Sequence, residues 1–384
     1  SCSSGTTSAT SGNNTITLVS LSEGTYSNCT ITVTDSLGYV SNTLTLTTFI
    51  VDLTASTITG TTVASNNASI AVTFSEAVYN TSGGSGALEA SDFTLTLSGG
   101  TATLSSATPS SISSSSNTYT LGLSLSGTPN GSETITVVPS SSTAIYDAAG
   151  NAASTSQSNN TVTLNDKTVP TLSSVSIASN NSTSTLAAVG DNVTLTFTAS
   201  ETISTPVVTF VSGGAAITDT SVTYVNTSGN TWTAVYTTES NDTTGSVTYS
   251  IAFSDSAGNA GTAVTSGGGS VTFDKTAPTV TFNPANDARG GRGADITITF
   301  NEVVRLINND ELTDSNVDSL ITLKDQVNVD IDFDATINDN KTIITINPSA
   351  TLPTNRDIYV AIGATVEDYV GHAITASDAT FTTQ

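Results

Sequence analysis

Three sets of carboxylates recur in this chain in matching local settings. A strand-like run ending in Phe is followed closely by Glu in AVTFSEAV at 71–78, LTFTASETI at 195–203 and ITFNEVV at 298–304, which marks Glu76, Glu201 and Glu302. An acid-plus-Gly turn recurs as YDAAGNA at 146–152, SDSAGNA at 254–260 and EDYVGHA at 367–373, which marks Asp147, Asp255 and Asp368. A boundary Asp opens DLTAS, DKTVPT and DKTAPT at Asp52, Asp166 and Asp274. Gathered in threes, such groups offer hard, anionic oxygens in flexible loops. That is the donor set Ca²⁺ prefers, at about six to eight ligands. Asn151, Asn259 and backbone carbonyls are candidates to complete the shells. A second reading stays open: Asp and Asn favour turns for local hydrogen-bonding reasons, and Gly150, Gly258 and Gly371 permit positive φ. Lys167 and Lys275, beside two of the boundary acids, are alternative partners for them.

What must position these acids is a β-framework. Apolar residues alternate with Thr or Ser in SIAVTF, DFTLTL, VTLTFT, DITITF and KTIITI, the period-2 signature of half-buried strands. Turn signals (SGG, PNG, SNN, SGN, NDN) recur every 8–12 residues or so. No stretch shows a helical period, though a short polar turn is expected around 308–318. The boundary motifs define units of roughly 110 residues with about seven strands each, which points to Ig-like β-sandwiches joined end to end. The expected divisions are a partial unit at 1–51, holding only the last three strands (NTITLVS, NCTITVTDS and SNTLTLTTFIVD), and full units at 52–165, 166–273 and 274–384. In such a sandwich the start of the first strand, the B–C loop and the F–G loop meet at one pole. The trios Asp52, Glu76 and Asp147; Asp166, Glu201 and Asp255; and Asp274, Glu302 and Asp368 occupy those three places.

Composition removes several kinds of chemistry. The chain has 32 acidic residues against 8 basic, a formal net charge of −24, and its first Lys or Arg is Lys167. Nucleic-acid binding needs cations to displace counterions, so none is expected. A membrane span needs about 20 consecutive apolar residues, and none occurs. No hydrophobic leader or anchor is present, so any such segment is expected to lie outside this sequence. Hydrophobic content is only 36%, but 75 Thr residues supply β-branched positions for strands.

Charge is concentrated towards the end. Asp330, Asp332 and Asp334 alternate with Val329, Ile331 and Phe333, which reads as an exposed strand face blocking edge-to-edge pairing, or else as a second cation site. Cys2 and Cys29 are the two cysteines, and in a secreted-looking chain they most simply form one disulfide; an unpaired Cys2 is the alternative. His372 is the lone imidazole and sits in a turn, with no nucleophile signature around any Ser, so an enzyme is not expected. Trp232, alternating with Ala234 and Tyr236, reads as packing before it reads as a sugar platform. Thr-X-Thr runs read as solvent-facing strand sides before an ice-binding face. Asn-X-Ser/Thr sites at Asn28, Asn67, Asn80, Asn130 and Asn192 are candidate glycan acceptors.

The motifs also resemble a known group, the bacterial Ig-like repeats of large surface proteins, adhesins and S-layer proteins. Residues 52–165 are similar through TFSEAV, ASDFTLTLSGG and YDAAGNAAS; 166–273 through DKTVPT and DSAGNAG; and 274–384 through DKTAPTVTFNPAND, ITITFNEVV and the segment from TIITINPSATLPTNRDIYVAIGATVEDYVGHAI to FTT. Departures are His372 and Tyr39 where Asn is usual, and DLTAS, which lacks the boundary Pro. The resemblance implies a non-enzymatic, extracellular, cell-surface structural protein: a stalk, filament or surface-layer component. Its partners would be neighbouring copies or further repeats of a longer chain, with no membrane insertion. Missing strands of the first unit would come from a longer array or from a neighbouring molecule. The alternatives are an adhesin module recognising a surface or glycan ligand, and domains appended to a secreted enzyme.

Overall fold

The alternation written in the sequence becomes an alternation of burial. In Ser69–Phe74 the residues Ile70, Val72 and Phe74 are buried while Ser69, Ala71 and Thr73 are half-buried. Asn192–Ala199 and Thr231–Thr237 pair so that Val193 lies opposite Tyr236, Leu195 opposite Ala234 and Phe197 opposite Trp232, all inward. β-branched and aromatic residues on one face and Thr on the other suit this half-buried pleat. The computed structural model describes residues 2, 4 and 7–384. Among these there is no α-helix, only two 3-10 turns at Ala90–Asp92 and Val317–Leu320. The polar turn expected around 308–318 therefore falls later, at 317–320.

The chain divides into two units, Ser1–Thr168 and Val169–Gln384. The first unit holds one complete sandwich. Ile58–Val63, Ser69–Phe74, Thr118–Gly122 and Ile112–Ser115 form one sheet, and Thr161–Thr163, Thr134–Pro139 and Phe93–Ser98 form the facing one. Ile70, Val72, Leu95, Leu121, Ile135 and Ile145 lie between them.

The second unit holds two more sandwiches. In one, Leu172–Ser179, Asn192–Ala199, Thr231–Thr237 and Thr223–Ser228 face Leu186–Ala187, Val271–Phe273, Gly245–Ala252, Val207–Ser212 and Ala215–Ala216. In the other, Val280–Asn283, Ile296–Phe300, Ile343–Pro348 and Phe333–Ile337 face Arg289–Gly290, Ser377–Thr383, Asp357–Ile362 and Ile321–Asp325. With strands lettered in chain order, their spatial orders are A-B-E-D and A′-G-F-C, as in an Ig-like sandwich, and Ala215–Ala216 adds a short strand beyond C in the former sandwich. The short A′ segments pair parallel to the last strand (Leu186 with Thr272, Arg289 with Thr382). Each sandwich has its own buried apolar cluster. The fold is all-β, a tandem of Ig-like sandwiches.

The first 51 residues differ from this pattern. Gly24–Tyr26 pairs with Phe49–Val51, and Thr30–Ile31 with Leu44–Thr45, each a two-stranded sheet. NTITLVS, expected as a strand, joins no ladder among the described residues; its Leu18 makes one isolated bridge to Ser4. Cys29 is the one buried apolar side chain among the described residues of 1–51, and it is disulfide-bonded to Cys2, with Cα atoms 5.5 Å apart.

The acidic run of the last sandwich also departs from expectation. The strand begins only at Phe333, and Val329 is exposed in a turn whose amides at Val327 and Val329 donate to Asp325 Oδ1. Asp330, Asp332 and Asp334 face solvent, with Asp330 beside Lys324 Nζ at 3.5 Å.

Candidate metal centres

One turn is built four times from one local rule. In 35–39, 147–151, 255–259 and 368–372 the Asp amide donates to the carbonyl oxygen four residues on, at 3.0, 3.1, 3.1 and 3.1 Å. The amide of that later residue returns a bond to the Asp Oδ1 at 2.9, 2.8, 2.8 and 2.9 Å. The Gly at the fourth place has φ of 93°, 93°, 90° and 110°, which a side chain would resist. The turn thereby aims Oδ2 of Asp147, Asp255 and Asp368 along a fixed direction. These three carboxylates are buried, with exposures of 0%, 3% and 2%.

In each case the last turn residue steadies that second oxygen. Asn151 Nδ2 donates to Asp147 Oδ2 at 2.8 Å, Asn259 Nδ2 donates to Asp255 Oδ2 at 2.7 Å, and His372 Nδ1 lies 2.9 Å from Asp368 Oδ2. Asn151 Nδ2 also reaches the Asp52 carbonyl at 3.1 Å. Through these amides Asn151 and Asn259 orient the carboxylates; a ligand role would rest on their Oδ1 atoms.

The boundary acids are also set by a local rule, Asp-x-Thr. Asp52 Oδ1 accepts from the Thr54 amide at 3.0 Å, Asp166 Oδ1 from the Thr168 amide at 2.8 Å, and Asp274 Oδ1 from the Thr276 amide at 3.0 Å and hydroxyl at 2.7 Å. Within the first unit the structure brings Asp52, Glu76 and Asp147 together with one carboxylate oxygen of each within 4.8 Å of the others. Within the second unit it does the same for Asp274, Glu302 and Asp368. Asp166 belongs to the first unit, and Glu201 and Asp255 to the second.

Burial and the neighbouring carboxylates act together on the Glu member. Burial first, then the charges of Asp147 and Asp52, push the Glu76 carboxyl above its ordinary range. Burial, then Asp368 and Asp274, do the same to Glu302, against a smaller opposing pull from His372 and a hydrogen bond from Asn301. Among the described residues no ion pair joins Lys167 or Lys275 to the trio Asp52, Glu76 and Asp147 or to the trio Asp274, Glu302 and Asp368. The Lys275 ammonium instead donates to the carbonyls of Ser240 at 3.0 Å and Asp242 at 2.7 Å. Oxygen-only donors, a high negative charge and no ammonium in the cluster suit a hard divalent cation such as Ca²⁺.

Several structural groups escaped the sequence reading. Arg305 and Glu367 form a buried pair, Nε to Oε1 at 3.1 Å, with the guanidinium 5.3 Å from the Tyr369 ring centre. Glu367 precedes Asp368, so this pair braces the turn at 368–372. Glu133 is wholly buried, and its carboxylate accepts from the amides of Thr101, Ala102 and Asn130. Asn181 Nδ2 donates to the Val370 carbonyl at 3.0 Å, tying the two sandwiches of the second unit at that point. Arg305, Glu367 and Glu133 had no sequence signal beyond a charged residue inside an apolar stretch, and Asn181, in the polar run SNNSTS, had none. Of the glycan sequons, Asn67 is buried and bonded through its side chain to Asn165, so it is closed to an acceptor role. Trp232 is buried in its core.

Residues 274–383 match the family described as a bacterial Ig-like domain. No curated protein matches the chain. Among solved structures, an I-band fragment from titin is 9% identical, covering 87% of this chain and 100% of its own, with a TM-score of 0.38. The IG1+IG2 structure of DIP-gamma is 11% identical, covering 56% of this chain and 97% of its own, with a TM-score of 0.29. No helix among the described residues is long and apolar enough to cross a membrane.

Proposed function

We propose that this chain is a non-enzymatic extracellular structural protein, a stalk, filament or surface-layer component of tandem Ig-like sandwiches that binds Ca²⁺ at its acid trios. One observation carries the reading: the same loop rules recur along the chain and converge carboxylates in at least two trios, with no Lys or Arg among the described residues ion-paired to either of the two. Repetition of one site suits a mechanical role, in which each ion ties three loops of a sandwich pole. A turnover site needs a nucleophile with its base or a metal with an open position. His372, the only imidazole, is engaged with Asp368. The match of 274–383 to a bacterial Ig-like domain supports a surface role.

Two measurements test this. Immunogold labelling of intact source cells should place the protein outside the envelope; labelling confined to the cytosol would sink the surface reading. Thermal melting with Ca²⁺ and then with chelator should show a higher midpoint with the ion, since a ligand of the folded state stabilises it. An unchanged midpoint would remove calcium from the proposal.

A further inference from the structure

Domains joined in a row move against one another unless something besides the linker holds them. The second and third sandwiches, both within the second unit, are held to each other in two separate places. The first is the segment that joins them. The Asp274 amide donates to the Ala187 carbonyl at 3.0 Å. The Lys275 ammonium donates to the carbonyls of Ser240 and Asp242, in the loop that follows Thr231–Thr237. Thr276 folds back onto Asp274 Oδ1 through its amide and its hydroxyl. Pro278 is buried, and its ring fixes φ. The Thr279 amide then donates to Asn301 Oδ1 at 2.6 Å, on the third sandwich. The chain crosses between the sandwiches with little slack.

The second place is Asn181, in the loop between Leu172–Ser179 and Leu186–Ala187. Its side chain is set by its own sandwich before it reaches across. Asn181 Oδ1 accepts from the Thr183 amide at 3.1 Å, and Nδ2 donates to Asp191 Oδ2 at 2.8 Å. That Asp191 oxygen is held in turn by the Ala188 amide at 2.7 Å. Nδ2 also donates to the Val370 carbonyl of the third sandwich at 3.0 Å. Val370, at the third place of its turn, is only 8% exposed. Leu37 and Ala149, at the same place in the two turns of the first unit, are exposed.

We propose that Lys275 and Asn181 lock the second and third sandwiches into one rigid body, so that this stretch of the chain is stiff with no ion bound. A single tether leaves rotation about its own point. Two tethers on different loops remove that swing. The Lys275 bonds are charge-assisted, which makes them the stronger of the two. Both tethers end on backbone carbonyls, which neither titrate near neutral pH nor need a metal. The lock therefore stands whether the acid trio of the third sandwich is filled or empty. The inference deepens the proposed structural role and rests on it for its use, since stiffness serves a stalk or a surface layer; the geometry of the junction does not depend on that role.

The test is the spread of distances between two nitroxide labels on the full chain, read by pulsed electron resonance. The labels go on Thr223→Cys and Thr322→Cys, exposed strand positions of the two sandwiches, with Cys2 and Cys29 left paired. In chelator the chain with both tethers intact should give one narrow peak. Lys275→Met keeps the stem and removes the donor; Asn181→Ala removes the other tether. Each should widen the peak about twofold, and the two together should widen it further. Trp232 emission should match in all of them, so that widening reports the junction and not a damaged second sandwich. A broad peak with both tethers intact overturns the proposal. So does a peak that is narrow with Ca²⁺ and broad in chelator, because the ion would then be the lock. A peak that stays narrow in the double variant overturns it too. A broad peak from a protein found on the cell surface would sink the lock and leave the surface role standing; a narrow peak from a protein found only in the cytosol would do the reverse.

Discussion

His372 Nδ1 stands 2.9 Å from Asp368 Oδ2, in the place where Asn151 Nδ2 stands 2.8 Å from Asp147 Oδ2. The two side chains end turns of the same geometry, but they differ in what they bring. The Asn amide is a neutral donor. The imidazole can carry a charge, and it already draws the Glu302 carboxyl down against its acidic neighbours. The third trio is therefore the weaker candidate for a cation. His372→Asn should give the third sandwich a larger rise in melting midpoint on adding Ca²⁺ than wild type shows. Calorimetry with and without the ion measures this; equal rises in both proteins would show that His372 does not compete.

Glu76 gives a pH dependence with a definite sign. Its carboxyl in the folded protein titrates above the ordinary value of 4.5, from burial and from Asp147 and Asp52. A group raised on folding contributes stability below its unfolded value and loses it as pH rises through its folded value. Without metal, wild type should therefore lose stability relative to Glu76→Gln as pH rises from the ordinary carboxyl value through the raised one. At neutral pH the Gln variant should be the more stable by about 1 kcal/mol or less, given the partial exposure of the site. Added Ca²⁺ should reverse that order. Urea melts of the two proteins at several pH values give the comparison.

Glu133 behaves in the opposite sense. Burial alone would raise its carboxyl, but the amides of Ala102, Thr101, Glu133 itself and Asn130 outweigh it and hold the group below 4.5. Its stabilisation is present above the unfolded value and is lost as pH falls through the folded one. Glu133→Gln should destabilise the first sandwich by about 1–3 kcal/mol at neutral pH, with the difference shrinking in acid. Gly100 makes room for this carboxylate: a Cβ there would lie 2.1 Å from it, on a backbone with φ of 61°. Gly100→Ala should therefore destabilise the same sandwich, and chemical denaturation of both variants reads the effect.

The Arg305–Glu367 pair predicts a coupling. Its side chains are only 8% and 10% exposed. Removing one partner leaves a buried charge alone, which costs about 3–5 kcal/mol. Arg305→Met and Glu367→Leu should each be strongly destabilising, and the double variant much less so than their sum. A double-mutant cycle on the third sandwich measures the difference; simple additivity would show that the pair is not energetically joined.

The strands were legible because their signal is local. Period-2 alternation in VTLTFT or KTIITI states which face of a strand is apolar, and the acid-plus-Gly turns state where a chain reversal needs positive φ. NTITLVS shows the limit of that logic. It alternates as well as its neighbours do, but a strand exists only where it is paired, and among the described residues its one pairing is the bridge from Leu18 to Ser4. The roles of Asn151 and Asn259 were harder to read for a similar reason. Their types suggested ligands, while only the side-chain geometry shows their amides pointing at the adjacent carboxylates.

Taken alone, the residue order determined the β-class, the repeat length and the excess of acid, because each follows from composition and short-range spacing. Tertiary structure decided which distant carboxylates meet, which charges are enclosed with partners and which apolar residues stay uncovered. Asp52 and Asp147 are far apart along the chain and become neighbours only when the first strand and the F–G turn reach the same pole. Such proximity is a property of sheet topology, and no local pattern encodes how far two loops will lie from one another.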